Sequence, residues 1–134
     1  MAGYSQTPLI KKLGIKSGMK ISILNPPDDL LKNLGEMPEI DLIEKPRKEM
    51  DFILFFSDSK NEYEKNFPKL EKLLKSNGML WIAWPKKASK IQTDLSENII
   101  RDFGLANGLV DVKVCAITEK WSGLKFVIRV KDRK

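Results

Sequence analysis

Two short stretches, Phe52–Phe56 (FILFF) and Met79–Trp84 (MLWIAW), are apolar at every position, and the second stops abruptly at Pro85, Lys86 and Lys87. Runs of this length without polar alternation suit strands buried on both faces, as in the interior of a parallel sheet. A chain with two such strands must also supply helices to cover both faces. That requirement points to a three-layer α/β sandwich. It also places a cationic loop, Trp84 to Asp94, directly after an interior strand.

The remaining pattern supplies those helices. Thr7 and Pro8 offer an N-cap and a first-turn proline to a helix bearing Leu9, Ile10 and Leu13, with Gly14 as its stop. Ile21, Ile23 and Leu24 form a first strand that Asn25, Pro26 and Pro27 end. Asp28 or Asp29 then caps a helix through Leu30, Leu31 and Leu34, stopped at Gly35. Ile40–Ile43 reads as a second strand and Phe52–Phe56 as a third. Ser59 and Glu62 make a capping box for a helix that Pro68 should kink or divide before Leu70, Leu73 and Leu74, with Asn77 and Gly78 closing it. After the fourth strand, Met79–Trp84, Thr93 or Asp94 caps a helix with Leu95, Ile99, Ile100 and Phe103 inward, ending near Gly108.

Two period-two segments close the chain. Val110, Val112, Val114 and Ala116 alternate with Asp111, Lys113 and Cys115; Leu124, Phe126, Ile128 and Val130 alternate with Lys125, Val127 and Arg129. A short link through Trp121, Ser122 and Gly123 makes them an antiparallel hairpin at the sheet edge. The fold expected is a reduced Rossmann-like, mostly parallel sheet with a C-terminal antiparallel hairpin, one domain over residues 1–134. One joint is strained: the Glu44–Met50 connector reaches at most about 25 Å and cannot hold a crossover helix. The second strand must therefore be very short or differently paired.

Composition bounds the function. With 42% hydrophobic and 31% charged residues the chain reads as a globular, cytoplasmic protein without a signal core or membrane span. It has no histidine, which removes histidine-based triads and the usual zinc and iron ligand sets. Its single cysteine, Cys115, allows no internal disulfide and, set mid-strand, reads as inert. No metal site and no catalytic residue emerge. The net charge of +6 permits attraction to phosphates or nucleic acid, although stretches such as EYEKNFPKLEKLLK mix charges as a solvated helix face does.

The order of strands, loops and helices with a last antiparallel hairpin is similar to the Rossmann-like fold of class I S-adenosylmethionine-dependent methyltransferases. Ile15-Lys16-Ser17-Gly18 and Leu74 to Gly78 resemble the turns before the first and fourth strands of that superfamily. The resemblance implies a cofactor loop after the first strand, which in the superfamily is glycine-rich and here reads Asn25-Pro26-Pro27-Asp28-Asp29, without glycine. It also implies that Glu44 stands where an acid holds the cofactor ribose. Asn25-Pro26-Pro27 resembles a motif of amino-methylating nucleic-acid methyltransferases, but there it follows a later strand, so the match is read as coincidence. The strings TPLIKKLGIK, WPKKASKIQTDL, GLVDVKVCAI and WSGLKFV resemble, over nearly the whole chain, a family of short bacterial proteins of unknown function. That resemblance supplies no activity.

In open α/β sheets, ligands bind beyond the carboxyl ends of the strands near the reversal of strand order. Three loops should meet there, Asn25 to Asp29, Ser57 to Ser59 and Trp84 to Thr93. They bring together Asn25, Asp28, Ser57, Trp84, Lys86, Lys87, Ser89 and Thr93 as candidate ligand-binding residues. Lys86 and Lys87 would neutralise a small anion while helix-start N–H groups donate to it. The competing reading makes these lysines solvated loop charges, with Ser89, Thr93 and Asp94 satisfying backbone groups. Trp81 reads as core and Trp84 as either core or ligand platform. Asp28, Asp29 and Asp58 read as caps rather than magnesium ligands.

The leading expectation is a non-catalytic or regulatory module that binds a small anionic ligand or partner group. The alternative is an S-adenosylmethionine-dependent methyltransferase with an atypical cofactor loop, and the third is nucleic-acid binding through the positive charge and Trp84. No membrane partner is expected, and the sequence leaves oligomeric state open.

Overall fold

In the computed structural model, which describes residues 8–133 apart from the Leu31 side chain, the two apolar runs lie side by side at the centre of a six-stranded sheet. The cap expected of Thr7 lies outside the described residues. The strands are β1 (Lys20–Leu24), β2 (Asp41–Leu42), β3 (Met50–Phe56), β4 (Leu74–Pro85), β5 (Leu109–Ala116) and β6 (Trp121–Ile128). They are ordered β2-β1-β3-β4-β6-β5. The first four run parallel, β6 pairs antiparallel with β4, and β5 forms the edge of the terminal hairpin.

Helices cover both faces. α1 (Leu9–Leu13) and α2 (Leu30–Leu34) place Leu13, Leu30 and Leu34 against Ile21, Phe52, Leu54, Phe56 and Trp81. α3 (Lys60–Glu71) and α4 (Glu97–Ala106) place Tyr63, Phe67, Leu70 and Ile100 against Ile53, Phe55, Leu80, Ile82 and Phe126. Two buried polar tips find backbone partners: the Trp81 indole N–H donates to the Leu13 carbonyl at 3.0 Å, and the Tyr63 hydroxyl donates to the Ile100 carbonyl at 2.7 Å. The second bond joins the two helices of one layer. Around it Tyr63, Phe67, Phe103 and Phe126 pack edge-to-face, with centroids 5.3 to 5.8 Å apart. Each such pair contributes about 0.5–1.5 kcal/mol beyond area burial.

Several boundaries differ from the sequence expectation, each for a local reason. The second strand contracts from Ile40–Ile43 to two residues, which relieves the short connector of any need for a crossover helix. α3 runs unbroken through Pro68, because burial of Tyr63, Phe67 and Leu70 outweighs a proline cost of about 3 kcal/mol. Leu73 and Leu74 leave the helix, and β4 begins at Leu74, so Asn77 and Gly78 lie inside a strand rather than closing a helix. A Cβ at Gly78 would stand 2.7 Å from the Met50 carbonyl oxygen, where the β3–β4 register shifts.

The hairpin turn is Ile117 to Lys120, where the Thr118 hydroxyl accepts from the N–H of Lys120 and of Trp121 at 3.1 and 3.2 Å. Trp121, Ser122 and Gly123, expected as the link, are instead paired strand residues. On edge strand β5, Val112 falls at a register shift and is 51% exposed, so the alternation there does not bury every valine. Val130 leaves the strand altogether and sits exposed in a terminal 3-10 turn.

Candidate functional site

Strand order reverses between β1 and β3, because the chain moves from β1 outward to β2 and then returns to the far side of β1. At this switch point Asn25 leaves β1 with a φ of 56°, in the left-handed region, and its side-chain amide donates to the Phe56 carbonyl at 3.4 Å. Asparagine is among the few residues besides glycine that tolerate this conformation. The loop thus makes a glycine-like turn without a glycine. Toward the sheet edge, the buried Ser22 hydroxyl of β1 donates to the Ile43 carbonyl just past β2, tying that end beside β1 next to Glu44.

Between these ends lies a cavity of about 840 Å³, walled by Ile23, Leu30, Leu34, Met37, Leu42 and Ile43 and rimmed by Pro26, Pro27, Asp28 and Glu44. Its walls are apolar and its rim carries two carboxylates. Nothing in the apolar periodicity marked this cavity in advance, since its residues read as ordinary core of β1, α2 and β2. The signal that could have found it is the Asn-Pro-Pro string, in which asparagine precedes two residues that bar both helix and strand.

The cationic loop forms a different cavity, of about 550 Å³, bordered by Trp84, Lys86, Lys87, Lys90, Thr93 and Ser96. The first and third of the three loops therefore open on different cavities. Asp28 lines the first cavity, and Trp84, Lys86, Lys87 and Thr93 border the second. Asn25, which precedes the first cavity's rim residue Pro26, lines neither, and nor do Ser57 and Ser89.

The hydroxyls expected to meet a ligand are occupied within the chain. Ser57 Oγ donates to the Ser59 carbonyl at 3.1 Å and accepts from the Ser59 N–H at 3.2 Å. Ser89 Oγ donates to the Lys86 carbonyl at 2.6 Å and accepts from the Ile91 N–H at 3.1 Å, closing the 3-10 turn Lys87–Ser89. Thr93 Oγ1 donates to the Asp58 carbonyl at 2.6 Å and accepts from the Leu95 N–H at 3.0 Å.

Neither Thr93 nor Asp94 caps α4; Ser96 does, accepting from the Ile99 N–H at 3.3 Å. Asp94 reaches across and accepts from the Lys60 N–H at 2.7 Å, capping α3 alongside Ser59. Glu62 does not complete the box, because the Ser59 N–H is already held by Ser57. Asp29 stands at the N-cap of α2 without a side-chain capping bond. Trp81 is fully buried and Trp84 is 6% exposed, so both are core anchors, Trp84 with one edge on the second cavity.

Among the described residues no cluster of histidine, cysteine or carboxylate side chains could hold a metal ion. Burial pushes the Cys115 thiol up, against a downward pull from Lys113 and Lys12, which agrees with its reading as unreactive.

Solved structures similar to this chain include several methyltransferases. A SAM-dependent methyltransferase from Aquifex aeolicus superposes with a TM-score of 0.61 over 90% of this chain and 88% of that one, at 16% identity. A TehB-like SAM-dependent methyltransferase from Corynebacterium glutamicum gives 0.58 over 90% and 85%, at 10% identity. Magnesium protoporphyrin IX methyltransferase from Synechocystis, solved with bound SAM, gives 0.58 over 90% and 74%, at 10% identity. No protein-family model and no curated protein matches the sequence.

The likeness establishes the mostly parallel Rossmann-like α/β fold of methyltransferases. It also corrects the expectation of a non-catalytic module holding a small anion beside Lys86 and Lys87. Several of the neighbours are SAM-dependent methyltransferases, and the loops meant to form a single anion crevice open on two cavities. No helix among the described residues is long and apolar enough to cross a membrane.

Proposed function

We propose that this chain is an S-adenosylmethionine-dependent methyltransferase with an atypical cofactor loop, acting in the bacterial cytoplasm and holding its cofactor in the cavity beyond β1 and β2. The observation that carries the reading is the position of that cavity's rim: Pro26, Pro27 and Asp28 follow the carboxyl end of β1 just past the left-handed Asn25 turn, and Glu44 follows that of the parallel strand β2, beside the reversal of strand order.

The residues present fit such a ligand. The apolar walls formed by Ile23, Met37, Leu42 and Ile43 suit a purine ring, and the Glu44 carboxylate would accept hydrogen bonds from ribose hydroxyls. Pro26 and Pro27 have no N–H to offer, so this loop cannot cradle the ligand by backbone donation as a glycine loop does. Asp28, on the rim, would instead face the positively charged end of the ligand, and two carboxylates at the mouth favour a cation over an anion. The cofactor, when bound, would supply an electrophilic methyl group: a nucleophilic atom of the acceptor bonds to the methyl carbon as the carbon–sulfur bond breaks, and the neutral thioether S-adenosylhomocysteine leaves. The chain's own share is to position ligand and acceptor and to exclude water. The second cavity, beyond β4 and bordered by Trp84, Lys86 and Lys87, lies on the same end of the sheet.

Thermal denaturation with S-adenosylmethionine and S-adenosylhomocysteine tests the reading. Ligand at 100 times its dissociation constant adds about 2.7 kcal/mol, raising Tm on the order of 10 °C. An unchanged Tm at millimolar ligand contradicts it.

A further inference from the structure

On the α1 side of the sheet, four lysines gather at the terminal hairpin and the end of α1. Lys113 and Lys125 are direct partners across β5 and β6, so their side chains leave the same face. Like charges placed directly opposite each other destabilise a strand pair. Lys12 of α1 and Lys16 after it complete the group: a Cβ at Gly14, which lies between them in sequence, would stand 3.9 Å from Lys125 Nζ, so the Lys125 ammonium reaches the end of α1. Lys16 and Lys113 are exposed, Lys12 and Lys125 half-buried.

Among the described residues no carboxylate lies within ion-pair distance of them. The segment from residue 8 to 20 holds four lysines and no acid, and β6 holds no acid. The one acid of β5, Asp111, pairs with Phe126 on the opposite face and bonds Arg101 of α4 at 2.9 Å. Among the described residues none of the four lysines takes part in an ion pair. None of them lines a cavity described above either, so the charges are spread over an open sheet face. An extended run of regularly spaced anions matches such a surface better than a single small anion. The half-buried Trp121, on the same sheet face, adds an aromatic surface.

We infer that Lys12, Lys16, Lys113 and Lys125 form a docking surface for the phosphate backbone of a nucleic acid. The surface is separate from both strand-end cavities and does not depend on the cofactor reading. Binding is electrostatic and sequence-independent, each lysine displacing counterions from about one phosphate.

The test is fluorescence anisotropy of the full chain with a labelled DNA duplex of about 20 base pairs across a salt series. The wild type should bind with an affinity that falls steeply with salt. Lys113→Ala with Lys125→Ala should weaken binding roughly tenfold at low salt and flatten the log–log salt slope by about 2. Lys65→Ala with Lys69→Ala, which removes the same charge from α3 on the opposite face, should change affinity less than about twofold. Lys113→Arg with Lys125→Arg keeps the charge and should retain binding, which separates a lost contact from a misfolded chain. Equal losses in the two alanine pairs, no duplex binding at low salt, or binding to vesicles of anionic lipid without binding to the duplex would each overturn the inference.

Discussion

The Asn25 side chain ties the end of β1 to the carbonyl of Phe56 at the end of β3, while its own backbone sits at a φ of 56°. One residue thus supplies both the turn and the cross-strand tie at the mouth of the proposed cofactor cavity. Asn25→Gly keeps the backbone conformation and should cost under about 1 kcal/mol. Asn25→Val adds left-handed strain for a β-branched residue to the lost hydrogen bond and should cost about 2–3 kcal/mol. Urea denaturation of the two variants checks the order. Equal stabilities would mean that the left-handed turn is not required.

A second pair joins the strand-end loop to α3. Asp94 accepts from the Lys60 N–H at 2.7 Å, so the loop after β4 caps a helix distant from it in sequence. Asp94→Ala should cost about 1 kcal/mol, the usual worth of a cap. Asp94→Asn, which keeps an acceptor, should recover most of it. Hydrogen exchange should locate the loss at the first turn of α3 rather than at α4.

That contact also marks where sequence reasoning stopped. The parallel interior strands were legible because Phe52–Phe56 and Met79–Trp84 admit no other burial pattern, and the terminal hairpin was legible from its period of two. Gly14, Gly35 and Ser59 sat at helix ends as their local chemistry requires. Asp94 reads in sequence as a cap for the helix that follows it; only the folded chain brings it to α3. The site was less legible for the same reason. Ser57, Ser89 and Thr93 are ligand-type residues whose hydroxyls are taken up by backbone groups, for Thr93 the distant Asp58 carbonyl, whereas the cavity beside Glu44 is built from apolar residues that carry no sign of a ligand.

Helix α4 approaches β6 through Gly104, where an added Cβ would stand 2.1 Å from Cε1 of Phe126. Because Phe126 is fully buried and packs against Phe67, its ring has no free space to enter. Gly104→Ala should therefore cost about 1–3 kcal/mol despite alanine's better helix propensity. Pairing it with Phe126→Leu should recover part of the loss, read as Tm by calorimetry.

Burial, with Lys113 and Lys16 nearby, lowers the Lys125 ammonium below the ordinary lysine range. A lysine whose folded pKa lies below its unfolded value destabilises the fold while charged, and that cost is relieved as pH rises through the folded value. Lys125→Met should accordingly raise Tm by a few degrees near pH 7, with the advantage over wild type narrowing toward about pH 10. The same variant should weaken duplex binding, so stability and binding move in opposite directions. A variant no more stable than wild type at neutral pH would mean that the charge carries no cost.

The central claim is that the cavity between the Asn25 turn and Glu44 holds S-adenosylmethionine. Isothermal titration calorimetry of the full chain with this ligand, wild type beside Glu44→Ala, tests it most directly. The account predicts saturable one-to-one binding by the wild type, weakened roughly tenfold or more when the Glu44 carboxylate is lost, as about 1.5–3 kcal/mol for a charge-assisted hydrogen bond requires. No heat of binding at millimolar ligand, or an affinity indifferent to Glu44→Ala, would contradict it.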